Sequence, residues 1–249
     1  MVAVVILLED IKTMCDKLIS VLITNFNYRS YLPDCVKSVK SQSKGNYEIL
    51  IVDDGSTDGS EAVIKILQQN YDGISSVLLP INKGKLHALN RGIPLLRGEY
   101  TIILDADDIL SEAFGEKMIP LLEANDSLGF CYSDCTLIDS NKVFIAVGRS
   151  TAFDALLIQS QSYIPECALT RTKILKAITP FDESIRVSTK HYKWKLIISS
   201  GYTGDYVAEP LFYYRMHDRN LSGIGRKILS EKIESGSSER LLSGYWGLS

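Results

Sequence analysis

Apolar and polar positions repeat with two different periods along the first half of the chain. Residues 18–24 form a run rich in β-branched side chains, and shorter apolar runs occupy 48–52, 77–79 and 100–104. Segments between these runs carry apolar residues every three or four positions, as on the buried face of an amphipathic helix. Strands that alternate with helices are typical of a parallel sheet with crossover helices. We therefore predict a Rossmann-like α/β fold for this half.

Three amphipathic helices are predicted between these strands. The first begins after Ser30, whose hydroxyl is available to cap the helix. The residues predicted to face the sheet are Leu32, Cys35, Val36 and Val39 in the first helix, Val63, Ile66 and Leu67 in the second, and Leu86, Leu89, Ile93 and Leu96 in the third.

The regular alternation becomes weaker beyond Ser111. Pro165 and Pro180 indicate irregular structure between 150 and 180. The elements predicted in this half are a helix with Phe114, Met118, Leu121 and Leu122 inward, strands near 129–132 and 143–147, helices near 171–177 and 192–200, and a strand at 211–216.

The composition suggests three segments. Residues 1–17 form an N-terminal extension, and 18–222 form one domain with halves at 18–110 and 111–222. Residues 223–249 are rich in Gly, Ser and charge, so we expect a mobile C-terminal tail. The apolar stretch at 2–8 is far too short to span a membrane, so we expect an edge element or an extension.

Charge and cysteine content exclude several classes of protein. The chain has 249 residues, 45% of them hydrophobic, with 27 basic and 30 acidic residues and a formal net charge of -3. Such a balance offers no long-range attraction for nucleic acid. The five cysteines lack the spacing of a zinc site, so we expect reduced thiols in a cytoplasmic protein.

Polar residues follow three of the predicted strands. The first strand ends at Thr24 and Asn25, the second at Asp53 and Asp54, and the fourth at Asp105, Ala106 and Asp107. Ligands bind beyond the carboxyl ends of strands in open parallel sheets, so these ends predict one shared crevice.

The two carboxylates after the fourth strand could hold a hard cation. Asp105 and Asp107 are two residues apart in a loop, and a nucleoside diphosphate could supply further oxygen ligands to Mg²⁺ or Mn²⁺. Alternatively, acidic residues here only cap the next helix, which Asp108 or Ser111 could do alone.

The loops after the second and third strands offer further candidates. Asp54 could accept hydrogen bonds from the edge of a nucleobase, whereas Asp53 is better suited to ordering the turn at Gly55. Lys83 and Lys85 could offset the charge of a diphosphate, although lysines at such positions are usually solvated. The GxxxxGK[ST], GxGxxG and GxSxG motifs are absent from these positions, which disfavours an ATPase, a dinucleotide oxidoreductase or a serine hydrolase.

Taken in order, these blocks resemble the inverting family 2 glycosyltransferases of the GT-A fold. The ordered set, which covers roughly 18–222, is far more specific than any single block. The matching segments are 20–27 (SVLITNFN), 52–59 (VDDGSTDG), 82–85 (NKGK), 88–92 (ALNRG), 98–108 (GEYTIILDADD), 181–187 (FDESIRV) and 209–217 (EPLFYYRMH).

The resemblance implies an enzyme that transfers a sugar from a nucleotide-sugar donor to a hydroxyl acceptor. A UDP-sugar is the expected donor, Mn²⁺ or Mg²⁺ the expected cofactor, and a glycan or lipid-linked molecule the expected acceptor, with peripheral membrane association left open. It also implies that Asp107 holds the metal, that Asp105 lies near the ribose, and that His217 lies near the diphosphate or the metal. The remaining donor-site residues that it implies are Thr24, Asn25, Asn27, Asp53, Asp54, Lys85, Asn90 and Ala106.

One position departs from the family pattern. The family usually carries a Glu-Asp pair at the start of the helix that contains Trp194, and this chain has Thr189 and Lys190 there. Neither side chain can act as a carboxylate base. His191 and Asp182 are the candidate bases, because an imidazole suits proton transfer near neutral pH and a carboxylate can accept a proton.

Three explanations for this departure stay open. Another residue supplies the base, the acceptor needs little activation, or the protein binds the donor as a degenerate, scaffolding transferase. Asp134, Glu166 and Glu183 are further candidates for the base. A sugar nucleotidyltransferase is disfavoured because its glycine-rich loop near the first strand is missing.

Overall fold

The structure is a computed structural model that describes residues 17–220 and the backbone of residues 239–241. The predictions for residues 1–16, and for most of the tail, lie outside the described residues.

A single mixed sheet organises the described chain. Its strands follow the order β10-β7-β6-β8-β4-β1-β2-β3, and β9 pairs with both β5 and β6. Strands β1 to β4 are mutually parallel where they pair, whereas β8 is antiparallel to β4 and β6. The strands are β1 (Leu18–Asn25), β2 (Asn46–Asp53), β3 (Ile74–Leu78), β4 (Tyr100–Asp105), β5 (Ile109–Leu110), β6 (Leu128–Asp139), β7 (Phe144–Arg149), β8 (Ala168–Arg171), β9 (Thr203–Met216) and β10 (Glu239–Leu241).

Helices cover both faces of this sheet. Strand β1 is buried on both sides, so its alternating side chains feed two cores: Ile19, Val21 and Ile23 join one, and Leu22 joins the other. The helices are α1 (Leu32–Lys40), α2 (Ser60–Asn70), α3 (Lys85–Gly92), α4 (Phe114–Ala124), α5 (Thr172–Ile178) and α6 (Thr189–Ser199), with short 3₁₀ turns at Ile93–Leu95 and Leu157–Gln159.

The predicted mixed, mainly parallel α/β architecture is confirmed, with local differences. Ile66 is 53% exposed and Ile64 is buried instead. The buried face of α2 carries Ser60, Ile64 and Leu67, which lie four and three residues apart, and Ile66 lies outside this face. Helix α1 has no side-chain cap, so the predicted capping by Ser30 is wrong. Pro33 in its first turn has no backbone N–H, so one fewer donor needs an acceptor from a cap.

The second half contains a strand that the sequence pattern did not reveal. Strand β8 (Ala168–Arg171) is fully buried, where the sequence predicted irregular structure leading into a helix near 171–177. Arg171 is accommodated because its guanidinium donates hydrogen bonds to the carbonyls of Leu122 and Leu128. Burying a charged group in this way requires partners that only tertiary folding supplies.

The strand register brings the predicted polar residues together. Thr24 of β1 lies beside Asp105 of β4, and Asn25 lies beside Asp53 of β2. All these strands end at the same edge of the sheet, so their last side chains surround one space.

Among the described residues, no helix is long and apolar enough to cross a membrane.

Candidate active site

A cleft of about 420 Å³ opens at the carboxyl ends of the central parallel strands. Its walls include Thr24, Asn25, Asp54, Asp105 and Asp107, which arrive from three different strand ends. The crevice expected from the strand pattern is therefore present, and carboxylates from separate loops converge on it.

The Asp54 carboxylate joins the end of β2 to the start of α3. It accepts hydrogen bonds from the backbone N–H groups of Lys83 (3.1 Å) and Gly84 (2.7 Å). The loop that follows β2 requires glycine at Gly55, where φ is +71° and an added Cβ would lie 2.5 Å from the carbonyl carbon of Ile81. Carboxylate oxygens have further lone pairs, so Asp54 retains capacity for a ligand in the cleft.

Asp53 and Asn27 order the turn behind this wall. Asp53 accepts hydrogen bonds from Asn25 Nδ2 (2.6 Å) and from the Ser56 N–H (2.9 Å). Asn27 adopts a φ of +59°, and its Oδ1 accepts a hydrogen bond from the Thr57 N–H at 2.8 Å. The contacts with Ser56 and Thr57 lie within the turn after β2, which agrees with the turn-ordering role expected for Asp53.

The charge of Asp105 is balanced by a neighbouring lysine. Lys85 Nζ lies 2.6 Å and 2.9 Å from its two carboxylate oxygens, and Thr24 Oγ1 donates to Asp105 Oδ1 at 2.9 Å. Ala106, between the two aspartates, is buried in the core, and its N–H donates to the Thr24 carbonyl. Lys85 and Asp105 thus form a charge pair in the wall of the cleft.

Asp107 instead faces a histidine. Its Oδ2 lies 3.0 Å from His217 Nε2 and 3.4 Å from Asn220 Nδ2. The His217 ring stacks on Tyr31 with ring centroids 5.1 Å apart. Burial raises the pKa of Asp107, the hydrogen bond from His217 opposes that effect, and the charge of Asp105 adds to it.

Asp108 adds a third carboxylate at the end of this loop. It accepts a hydrogen bond from the Arg215 N–H at 3.1 Å. Burial, followed by the charges of Asp107 and Asp105, holds the pKa of Asp108 well above its usual range. Ionising both Asp107 and Asp108 is therefore unfavourable until positive charge enters the cleft.

The donor set for a metal is incomplete within the protein. No group of three His, Cys, Asp or Glu side chains converges on a common point in the described part of the chain. Asp107 and His217 are the adjacent oxygen and nitrogen donors, and the excess of buried carboxylates suits a hard cation. The remaining ligands would have to come from a substrate or from water.

The opposite wall of the cleft is formed around the start of α6. Thr189 and Lys190 line it, and the Lys190 ammonium nitrogen is buried although part of its side chain is exposed. Glu166 lies beside them and pairs with Lys193 at 2.8 Å. Burial alone would raise the pKa of Glu166, but the charges of Lys193 and Lys85 lower it to about 2.

The two candidate bases occupy different surroundings. His191 is buried and lines the cleft, and its Nε2 lies within hydrogen-bond distance of the Ile158 carbonyl. Because a carbonyl only accepts, Nε2 carries the proton and Nδ1 is the nitrogen that can accept one. Asp182 is exposed and accepts a hydrogen bond from the Ser184 N–H at 2.9 Å; hydrogen bonding from the Ser184 side chain, followed by this backbone contact, lowers the pKa of Asp182.

Asn90 connects α3 to the segment before α6. Its Nδ2 donates to the Phe181 carbonyl (2.9 Å) and to Glu183 Oε1 (3.0 Å), and its Oδ1 accepts from the Phe181 N–H. These bonds orient the segment that carries Glu183 into the cleft. The predicted site residue Asn90 therefore contacts other parts of the wall.

Two further residues of the cleft were not predicted from the sequence. Arg186 donates a hydrogen bond from Nη1 to the Lys83 carbonyl, which closes one side of the cleft. Ser162 is 2% exposed and lines the wall near Glu166. Arg186 falls in the block at 181–187, which could have signalled it, whereas nothing in the sequence around Ser162 distinguishes that serine from a surface residue.

Comparison with known proteins connects this arrangement to a family. An uncharacterized glycosyltransferase of Nostoc sp. is 30% identical over 220 residues, which cover 81% of this chain and 66% of the relative. The sequence profile named "Glycosyl transferase family 2" matches residues 20–179.

Solved structures share the fold. The crystal structure of S. aureus TarS 1-349 matches with a TM-score of 0.65 at 18% identity, covering 86% of this chain and 65% of that TarS chain. The mannosyltransferase PcManGT from Pyrobaculum calidifontis matches with a TM-score of 0.62 at 18% identity, covering 88% and 65%. The present chain thus spans slightly less than two thirds of the Nostoc relative and of the TarS 1-349 and PcManGT chains, and 39% of a longer TarS chain. The GT-A fold is confirmed, and because the family profile covers more than half of the sequence, the chain belongs to glycosyl transferase family 2.

Proposed function

We propose that this protein transfers a sugar from a nucleoside-diphosphate donor to a hydroxyl acceptor, with a divalent metal and with inversion at the anomeric carbon. The observation that carries this proposal is the convergence of Asp54, Asp105 and Asp107 on one cleft. Membership of the family supports the reaction type, and the charges of the cleft support the donor class.

The donor is expected to lie along the wall formed by β1, β2 and β4. TarS has been crystallised with UDP and with UDP-GlcNAc, and PcManGT with GDP-Man and Mn²⁺. These ligands support a nucleotide-sugar donor for the present chain, with UDP-sugars as the first to test. Asp54 lies where it could accept the N–H groups of a base, and Lys85 lies where its charge could balance a phosphate.

Asp107 and His217 are the residues that would hold Mn²⁺ or Mg²⁺. A bound cation would stabilise the negative charge that develops on the departing nucleoside diphosphate. His217 is suited to this role because Tyr31 stacks against its ring and holds it beside Asp107. Asp105 is held by Lys85 and Thr24, and this fixed orientation supports a role for Asp105 near the ribose of the donor.

Transfer requires a proton acceptor on the opposite side of the sugar. The acceptor oxygen forms a bond to the anomeric carbon, the bond from that carbon to the phosphate oxygen breaks, and the hydroxyl proton passes to a base. His191 Nδ1 is the first candidate, because His191 lines the cleft. Asp182 is the second, and it would have to approach from the exposed loop before α6.

A second function is favoured by the departure at α6. With Thr189 and Lys190 in place of two carboxylates, the chain could bind a sugar nucleotide without transferring the sugar efficiently. Such a protein would act as a donor-binding or scaffolding subunit.

Nucleotide release and nucleotide binding together separate these two functions. Wild-type protein is incubated with Mn²⁺ and a panel of UDP- and GDP-sugars, with and without acceptors, and the release of UDP or GDP is measured. Donor binding is measured separately by calorimetry. Acceptor-stimulated release supports transfer, whereas tight binding without release supports the donor-binding protein. Absence of both binding and release across the panel would overturn the proposed function.

A further inference from the structure

Arg215, near the end of β9, is buried beside the loop that follows β4. It is 1% exposed, and its Nε donates a hydrogen bond to the Asp107 carbonyl at 2.9 Å. The Arg215 backbone N–H donates to Asp108 Oδ1 at 3.1 Å. Of the other guanidinium nitrogens, Nη1 donates to the Ser140 carbonyl at 3.0 Å and Nη2 to Asp34 Oδ2 at 3.4 Å. These contacts fix the guanidinium, which in turn holds the backbone at Asp107.

The same guanidinium also supports His217, through Tyr31. The central carbon of the guanidinium lies 4.7 Å from the centroid of the Tyr31 ring. That ring stacks on the His217 imidazole, with the centroids 5.1 Å apart and the planes inclined by 25°. A guanidinium is attracted to an aromatic ring, and stacked rings restrict each other's rotation. The orientation of the imidazole therefore depends on Tyr31, and that of Tyr31 on Arg215.

These two sets of contacts lead to the two residues proposed to hold the cation. His217 Nε2 lies 3.0 Å from Asp107 Oδ2. Arg215 acts on Asp107 directly, at its carbonyl, and on His217 through the stacked ring. Within the described chain, neither Arg215 nor Tyr31 lines the cleft, and a guanidinium has no lone pair to offer a metal. Both residues are thus placed to act on the ligands and not on the cation itself.

We propose that Arg215 and Tyr31 are positioning residues for the divalent cation, because they hold the Asp107 carboxylate and the His217 imidazole where both can bind one ion. Loss of a group that orients a metal ligand typically lowers metal affinity by about 10–100-fold. This inference rests on the proposed function, since it concerns the residues proposed to hold the cation there.

Tyr31 provides the first pair of variants, because it is only half-buried and tolerates replacement better than Arg215. Each protein is titrated with Mn²⁺, alone and with UDP or GDP, by electron paramagnetic resonance and calorimetry. We expect Tyr31→Leu, which removes the ring, to lower Mn²⁺ affinity by about tenfold or more. Tyr31→Phe keeps the ring and should keep the wild-type affinity.

Tyr71→Leu is the matched control for the loss of a tyrosine. Tyr71 is also half-buried, but it lies between α2 and the start of β3, at the edge of the sheet opposite the cleft. Its replacement should leave Mn²⁺ affinity unchanged. Urea unfolding of every variant shows that the titrated protein is folded.

A double-mutant cycle separates positioning of His217 from a general structural role. In His217→Ala the imidazole is absent, so Tyr31→Leu should cause no further loss of Mn²⁺ affinity. Arg215→Met should weaken binding even in that background, because its hydrogen bond to the Asp107 carbonyl is also lost.

Metal selectivity provides a second readout. Mg²⁺ prefers oxygen ligands, whereas a nitrogen ligand favours a transition metal such as Co²⁺. Tyr31→Leu should therefore lower Co²⁺ affinity more than Mg²⁺ affinity, as His217→Ala should.

Three results would overturn the inference and leave the proposed function in place. They are wild-type Mn²⁺ affinity in Tyr31→Leu, wild-type affinity in His217→Ala, and an effect of Tyr31→Leu that persists undiminished in His217→Ala. Absence of any cation-dependent nucleotide binding by wild-type protein would overturn the proposed metal-assisted transfer together with this inference.

Discussion

At the residue scale, the three aspartates of the loop after β4 have different partners. Asp105 is paired with Lys85, Asp107 faces His217, and Asp108 accepts the Arg215 N–H. The spacing of the carboxylates in the sequence is compatible with any of these arrangements. The difference arises because Lys85 and His217 approach from α3 and from the end of β9, which are distant in the chain.

Replacing Asp107 tests the metal assignment. We expect Asp107→Ala to weaken Mn²⁺-dependent nucleotide binding by about tenfold or more. Mutation of a residue that only hydrogen-bonds to a metal ligand typically lowers metal affinity by about that factor, and removal of a direct ligand should lower it at least as much. Calorimetry with UDP or GDP, in Mn²⁺ and in EDTA, provides the measurement. Asp72→Ala, which removes an exposed carboxylate, is the control. Equal affinity of Asp107→Ala and wild type in Mn²⁺ would contradict the assignment.

Replacing His191 tests the base. We expect His191→Ala to lower turnover by about 10²-fold and to leave donor affinity unchanged, because general base catalysis is worth roughly that factor. His191 also contacts the Ile158 carbonyl, so a structural loss must be separated from a catalytic one.

The variant His191→Gln makes that separation. Its side-chain amide can still donate to the carbonyl of Ile158, but it cannot accept a proton at the position of Nδ1. Turnover should therefore be as low in His191→Gln as in His191→Ala. Recovery of activity in His191→Gln would assign a structural role to this histidine.

At the element scale, the loop after β2 depends on a glycine. Gly55 combines a positive φ with an added-Cβ distance of 2.5 Å from Ile81, whereas Gly201, after α6, has a φ of +86° and nothing within 4 Å. The two glycines thus share the backbone requirement and differ in the space around them.

We expect Gly55→Ala to lower the free energy of unfolding by more than Gly201→Ala does. The strain of a positive φ alone costs about 1–2 kcal/mol, and the clash with the backbone of Ile81 adds to it. Urea unfolding of both variants measures the difference. Equal destabilisation would show that the loop shifts to make room at Gly55.

Element boundaries were predictable where the apolar pattern is continuous. Strands β1, β2 and β4 were located within about two residues, since each contains a mainly apolar run of consecutive buried residues. Strand β8 was missed, and β9 was predicted only at its second half, because polar residues interrupt their patterns. Those polar residues are satisfied by partners from other elements.

At the scale of the whole molecule, a charge network joins elements that are far apart in the chain. Glu166, which precedes β8, contacts Lys193 of α6 and lies 3.9 Å from Lys85 of α3. Its pKa is lowered from 4.5 to about 2, so folding stabilises its ionised form. This contribution to stability is complete above the unfolded pKa and is lost as the pH falls through the folded one.

We therefore expect the free energy of unfolding to fall more steeply in wild type than in Glu166→Gln between pH 4.5 and about 2. Urea unfolding at a series of pH values measures this slope. Glu61→Gln is the matched control, because Glu61 pairs with Lys65 on the exposed face of α2 and should leave the slope unchanged. A slope in Glu166→Gln equal to that of wild type would contradict a stabilising role for the ionised carboxylate.

The sequence by itself determined the parallel part of the sheet, the alternation of its strands and helices along the chain, and the presence of polar residues at three strand ends. These features depend on the local period of apolar side chains, which each segment carries on its own. The tertiary structure alone decided which partner each carboxylate takes, how Lys190 and Ser162 enter the cleft, and where β8 lies. Those features depend on contacts between residues far apart in the chain, and the energy of a buried charge or hydroxyl is set by the groups that folding places around it.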